Sequence, residues 1–447
     1  MRAGRRHLAA LAATAVFASL VSGAGCFLEG EGVPPTPGEL NFPAGIVLPG
    51  ATATTPARFV VVSNANFDLR YNGGTLLALD AARLASAVAA CEPAGIDGCL
   101  LGSPGLFAVE GGEVVTGSFP VGLATSSDGT RLYAPFRSEG TLTYVDFSPE
   151  SGALTCRAQG AGGVCEDAFR RGDEAIASQR GEAMPGDPSR VLVQALPAPL
   201  RGDMILVLDR GGSASLFFDD TTGPVRQAPK LVDVQGGLLT AAAALAWDPR
   251  TSAAYIGSTS QPANPRLGRV GVAIDALAGN PERSYLFRAG EQRLLGLDDG
   301  LDVRDLLFDG DRLYILTRRP EAVVVVDFAL QVPGVDLPIR SLVDVDVGAS
   351  RLLRAVVGGR PVLFVSCYDG RTVYVIDPAR ARVLDVIRGF SGPFGMAVDE
   401  ARSLLYVTDF RNSTLRLVDL APLAEDRPEP LRITATLGAP RAARDLR

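Results

Sequence analysis

Seven times along this 447-residue chain, an aromatic or aliphatic residue in one apolar run is followed by an aspartate that ends the next run. In five copies the two lie thirteen residues apart: Tyr133 to Asp146, Leu206 to Asp219, Tyr314 to Asp327, Phe364 to Asp377 and Tyr406 to Asp419. Two copies carry insertions, Phe59 to Asp80 and Tyr255 to Asp275. The least modified copy is Ser391–Leu420, with three strand-length apolar runs separated by polar turns. Laid without gaps on residues 118–147, it places Pro393 on Pro120, Gly395 on Gly122, Tyr406 on Tyr133 and Asp419 on Asp146. First strands often open with Pro-x-Gly, at Pro43, Pro120 and Pro393. Fourth strands follow the aspartates at Glu113–Ser118, Leu231–Val234, Arg382–Ile387 and Leu431–Leu437.

Successive aspartates lie 42 to 73 residues apart, a period suited to propeller blades. One four-stranded sheet cannot bury both its faces, whereas several packed radially can, leaving only short edges. The expected fold is all-β: a seven-bladed β-propeller of four-stranded antiparallel blades over 43–438, with a tail at 439–447. The run Leu404-Leu405-Tyr406-Val407-Thr408-Asp409 resembles the YVTN family of propeller repeats, related to the NHL and lactonase-like propellers. The resemblance is specific in blades two, five, six and seven and loose in one, three and four.

The N-terminus reads as an export signal. Arg2, Arg5 and Arg6 precede an apolar run from Leu8 to Val21, too short for a relaxed transmembrane helix. The ending Ser22-Gly23-Ala24-Gly25-Cys26 resembles the lipobox of bacterial lipoproteins, with Gly23 where that motif prefers Leu. The resemblance implies a signal peptide at 1–25 and lipidation at Cys26, with plain signal cleavage or twin-arginine export at Arg5-Arg6 as the other readings. Phe27 after the cysteine points to outer-membrane sorting. Residues 26–42, with Pro34, Pro35 and Pro37, read as a flexible tether able to span about 50 Å at ~3.1 Å per residue.

Composition narrows the chemistry. The net charge of −7 argues against a nucleic-acid partner. The single histidine, His7, lies in the segment expected to be removed, so the mature chain has no imidazole base, no Ser-His-Asp triad and no histidine metal ligand. Cys91 with Cys99, and Cys156 with Cys165, read as two local disulfides of an exported protein, each in a connection between third and fourth strands. Cys367 reads as a half-buried thiol rather than a nucleophile. The aspartates ending third strands read as turn acceptors of backbone N–H groups rather than as a carboxylate ring.

In a propeller, the loops between second and third strands share one face with the loops between blades. Here each carries an arginine: Arg70, Arg137, Arg210, Arg266, Arg318, Arg371 and Arg411. Phe67, Tyr71, Phe136, Tyr368 and Phe410 accompany them. Planar donors beside aromatic faces suit an anionic ligand, a glycan or a protein partner; paired surface charges are the competing reading. The two longest loops on that face, 64–74 and 257–268, make blades one and four the favoured contributors. The acidic run Asp298-Asp299-Gly300-Leu301-Asp302 reads as a solvated turn, with Ca2+ as the alternative, and no other metal or cofactor site stands out. The function expected is an envelope-anchored, monomeric lipoprotein that serves as a binding or scaffolding platform, without catalytic residues. The alternative implied by the family resemblance is a lactonase-like or sugar-acid hydrolase using a carboxylate-bound divalent metal.

Overall fold

A computed structural model describes residues 32–91, 97–172, 184–198, 200–221, 226–263, 265–274, 281–295, 299–330 and 336–441. The chain divides into Met1–Pro34 and a compact unit, Pro35–Arg447, which holds the fold. That unit is an all-β propeller. Residues 35–42, expected as tether, belong to this unit, and Leu40, Asn41 and Phe42 are buried in it.

Within most sheets the main strands run antiparallel in chain order. The first holds Pro43–Val47, Phe59–Asn64, Gly74–Asp80 and Ala108–Thr116. The second holds Ala124–Thr125, Arg131–Phe136 and Thr141–Phe147, and its outer edge is split between Leu154–Thr155 and Arg170–Arg171. The third runs from Pro188–Ala195 to Lys230–Gln235. The last two are Ala349–Val357 to Arg382–Arg388 and Pro393–Asp399 to Ile433–Leu437. The expectation of seven separate four-stranded sheets needs correction here. Five blade-sized sheets stand separately, whereas eight of the strands from Ala242–Asp248 to Leu337–Asp344 form one sheet, and the short strands Gln261–Ala263 and Asp299–Leu301 pair apart from it. The join arises because Tyr285–Leu295 is eleven residues long, and its end pairs in parallel with Leu337 and Pro338.

Middle strands are sandwiched on both faces, so they read as continuous apolar runs rather than alternations. Phe59–Asn64, Arg131–Phe136 and Leu404–Asp409 are buried at every residue, whereas the outer strand Arg382–Arg388 is half exposed. The repeat's aromatic landmarks Tyr133, Tyr314, Phe364 and Tyr406 fall in buried contacts between neighbouring sheets, and Tyr255 in the contact between the two halves of the eight-stranded sheet. The ring closes by packing Val60, Val62, Leu77 and Leu79 of the first sheet against Tyr406, Leu415 and Leu417 of the last.

Both disulfides form as paired in the sequence reading. Their loops do more than decorate a face, because each lends a short strand to the neighbouring sheet. Cys99–Leu100 pairs in parallel with Ala435 and Thr436 of the last sheet, and Asp97 in the same loop bonds Arg416 at 2.8 Å. Gly163–Val164, inside the second disulfide loop, pairs in parallel with Val114 and Val115 of the first sheet. One loop therefore ties the first sheet to the last, and the other ties the second to the first.

The aspartates divide by role. Asp377, Asp419, Asp327 and Asp80 accept N–H groups two or three residues on, the turn role expected of them. Asp219 departs from that pattern. It is fully buried and receives Arg131 Nη1 at 3.0 Å, Arg226 Nη2 at 2.9 Å and the Tyr133 hydroxyl, joining the second and third sheets. Asp275 lies outside the described residues.

Candidate functional site: an arginine-lined cavity in the central channel

The site begins with a backbone irregularity. Six first strands shift register near their start: between Pro43 and Gly45, Pro188 and Arg190, Ala242 and Ala244, Val303 and Asp305, Ala349 and Arg351, and Pro393 and Met396. A bulge inserts a residue the partner strand does not match and re-aims its side chain. The skipped residues Ala44, Ser189, Ala243, Arg304, Ser350 and Phe394 all line one cavity of about 290 Å3, together with Val121 from the second sheet. The glycine of Pro-x-Gly follows from the same crowding. A Cβ on Gly395 would stand 2.4 Å from the Ala44 carbonyl oxygen, where the last and first inner strands meet.

Guanidinium groups converge on this cavity. Arg137, Arg210 and Arg318 reach it from the loops between second and third strands, and Arg190, Arg304 and Arg351 from the first strands. The cavity continues into a second space of about 160 Å3 that Arg190 and Arg351 also line. Four of the six already stand within ion-pair distance of carboxylates. Asp187 accepts from Arg137 at 2.6 Å and stands 3.8 Å from Arg210, and Arg304 stands 2.7 Å from Asp302. Arg190 is 3.9 Å from Asp305 and donates to the Arg304 carbonyl at 2.6 Å.

Arg318 and Arg351 have neutral partners among the described residues. Arg318 donates to the carbonyls of Ala349 at 2.7 Å and Gly348 at 3.2 Å and to Ser350 Oγ at 3.0 Å. Arg351 donates to the Val121 carbonyl at 3.3 Å and lies over the Phe394 ring at 4.5 Å. Burial, reinforced by the charge of Arg190, pushes Arg351 down to about 9. Burial also lowers Arg190, against the pull of Asp305, and lowers Arg318, with Arg304 adding to the effect. Like charges held together out of water are costly, and such clusters concentrate where a ligand of opposite charge is handled.

The opposite wall is aromatic. Phe119, Phe67, Phe410 and Phe394 form a chain of ring contacts with centroid separations of 6.1, 5.5 and 6.2 Å. All four line the cavity, and Phe67 remains 55% exposed at its mouth.

Of the residues expected to bind a ligand, the structure brings Arg137, Arg210, Arg318 and Phe410 to the cavity. The others lie elsewhere. Phe136 is fully buried core. Arg70 pairs with Asp68, and the Tyr71 hydroxyl meets Thr36 and Arg441. Arg266 pairs with Glu291, and Arg411 pairs with Asp369 while lying over Tyr368. Arg371 is exposed at a turn tip with φ 59°. The paired-charge reading thus holds for Arg70, Arg266 and Arg411. Of the two long loops, 64–74 supplies Phe67, whereas the described residues of 257–268 do not line the cavity. Arg190, Arg304, Arg351, Phe119 and Phe394 were missed. The signal for all but Phe119 was the position next to each first-strand opening, seen only when the strands are aligned with one another.

Among the described residues, no three His, Cys, Asp or Glu side chains stand close enough to hold a metal. Asp302, from the acidic run proposed for Ca2+, is engaged by Arg304, and Asp298 lies outside the described residues. Among the described residues no helix is long and apolar enough to cross a membrane. Cys26 also lies outside them.

No family model and no curated protein matches the chain. Solved structures do. A functionally unknown protein from Desulfotomaculum acetoxidans is 12% identical, with a TM-score of 0.52, over 87% of this chain and 100% of that one. A protein from Lactobacillus plantarum is 13% identical, with a TM-score of 0.47, over 77% and 84%. The Cps50 (Swd1) β-propeller domain of Myceliophteria thermophila is 10% identical, with a TM-score of 0.43, over 80% and 91%. At these identities such a likeness speaks to fold alone.

Proposed function

We propose that this chain is a binding protein of the cell envelope whose propeller captures an anionic ligand at the mouth of its central channel. The observation that carries the reading is the pair Arg318 and Arg351, set in one cavity with Arg190 and held by neutral partners. A carboxylate or phosphate entering there would give these two groups a directly bonded counter-charge in place of neutral partners, in a setting where water is partly excluded. Rigid inner strands hold the guanidinium groups, so little ordering is needed on binding. In this account the eight-stranded sheet counts as two blades, giving seven blades of YVTN kind over 43–438. Residues 1–25 act as a signal peptide and a lipid on Cys26 holds the protein at the outer membrane, with a glycan or protein bearing the anion as the wider partner class. The loop arginines that already have carboxylate partners serve the rim.

Calorimetric titration of the chain beginning at Phe27 with small carboxylates and phosphate tests the reading. Binding that weakens as salt rises, and that is lost in Arg318→Gln with Arg351→Gln, is expected. Binding unchanged in that double variant overturns it.

A further inference from the structure

The cavity is polarised, which restricts the anion further than charge alone. Phe67, Phe119, Phe394 and Phe410 come from the first, second and last sheets and form one continuous aromatic wall. The guanidinium groups of Arg190, Arg318 and Arg351 come from the third sheet, the eight-stranded sheet and the sheet that follows it. The two halves meet where Arg351 lies over Phe394 at 4.5 Å. A hydrophilic anion such as sulfate would satisfy the arginines and leave the wall wet. Phe67, 55% exposed on a loop whose neighbours Ala65 and Asn66 are buried, is an aromatic ring kept at the mouth without a covering element. At about 290 Å3, the space lies near the lower end for small-ligand clefts.

Resting on the anion-binding reading, we propose that the ligand is an amphipathic organic acid. Its carboxylate lies against Arg318 and Arg351, and its aromatic or branched apolar body against Phe67, Phe119 and Phe410. Bidentate carboxylate recognition suits guanidinium geometry, and offset or edge-on ring contacts suit the tilted wall. Phosphate esters with an apolar body share enough of this chemistry to compete at the same place.

The test uses three probes on the chain beginning at Phe27: phenylacetate, acetate and 2-phenylethanol. The first carries charge and ring, the second charge alone, the third the ring alone. Covering one aromatic ring is worth about tenfold or more in affinity, so phenylacetate is expected to bind at least about tenfold tighter than either of the others. Phe67→Ala should cost phenylacetate about five- to tenfold and leave acetate unmoved; the side chain is half exposed, so the fold is not at stake. Arg318→Gln should weaken both acids and spare 2-phenylethanol. If acetate binds as tightly as phenylacetate and Phe67→Ala changes nothing, the amphipathic assignment fails while the anion site stands. If neither acid binds, both fail.

Discussion

Replacing Asp219 with alanine should be among the most damaging single changes in the propeller. Its carboxylate is fully buried and receives Arg131 Nη1 at 3.0 and 3.1 Å, Arg226 Nη2 at 2.9 Å and the Tyr133 hydroxyl. Arg131, itself 1% exposed, would keep its charge and lose the one fully buried counter-ion it has among the described residues. Removing one partner of a buried pair costs about 3–5 kcal/mol, much of it the isolation of the remaining charge. Part is recovered here. Arg131 retains Asp146 at 2.6 Å, the Gln227 carbonyl at 2.7 Å and the Tyr144 ring at 4.7 Å. Arg226 retains Asp128 at 3.2 Å. The lower end, about 3 kcal/mol, is therefore expected. Asp146→Ala is the control: it touches the same arginine, but its side chain is 40% exposed, and about 1 kcal/mol or less should be lost. Urea denaturation of both variants beside the parent reads the difference as a shift in midpoint. Asp219→Leu with Arg131→Met should regain part of the loss, because Arg131 is no longer stranded, while Arg226 keeps Asp128 at 3.2 Å but loses its buried partner. A loss under about 1 kcal/mol for Asp219→Ala, or a larger one for Asp146→Ala, would refute the claim that this cluster joins the second and third sheets.

Other consequences are as direct. Cys91→Ser with Cys99→Ser removes a bridge of sequence separation 8, worth about 2.5 kcal/mol in loop entropy, and frees the strand that ties the first sheet to the last. Hydrogen exchange at Ala435 and Thr436 should rise in that variant, and unchanged protection there would show that the loop does not serve ring closure. Cys367 is buried, and burial pushes its thiol up to about 12, so a disulfide reagent at pH 8 should find it only after denaturation; modification in the native state would contradict its placement. Although burial pushes Asp128 upward, hydrogen bonds from Ser126 and Thr130 and the charge of Arg226 hold it below 3.8. Its contribution is therefore complete above pH 3.8 and lost as pH falls through the lower, folded value, which Asp128→Asn should remove from the acid limb of the stability profile. Arg351 behaves in the opposite sense. Burial holds it near 9, well below its ordinary range, so above about pH 9 the folded chain has released a proton that the unfolded chain keeps, and this group's contribution to stability rises with pH there. An anion needs that proton, so affinity should be steady below pH 9 and fall above it, and a flat profile to pH 10.5 would contradict the role given to Arg351.

The repeat made the propeller legible because it repeats what every blade must do. An aromatic residue fills the gap between sheets, and an aspartate caps the turn after the third strand. Where a copy departs from those duties, the sequence misleads or is silent. Asp219 sits in register with the turn-capping aspartates, yet its carboxylate points into a neighbour's arginine. The parallel pairing of Leu294 and Leu295 with Leu337 and Pro338 depends on the length of one outer strand, which no landmark marks. The site was half legible for a similar reason. Loop arginines stand out as single residues, and Arg137, Arg210 and Arg318 do reach the cavity. Arg190, Arg304 and Arg351 lie within strands, where alternation predicts burial against a sheet. Only the bulges turn Ser189, Arg304 and Ser350 toward the channel and set Arg190 and Arg351 beside them. A bulge has no composition of its own. It became visible through the register of the partner strand.

The account turns on one place, the channel between Phe67 and Arg351. A crystal soaked with 4-bromophenylacetate tests it most directly, since anomalous scattering fixes the bromine and the electron density fixes the acid. The carboxylate is predicted within hydrogen-bonding distance of Arg318 and Arg351, with the bromine end against the Phe67 and Phe410 rings. A carboxylate bound only at the paired rim arginines, or an empty channel at saturating ligand, would contradict it.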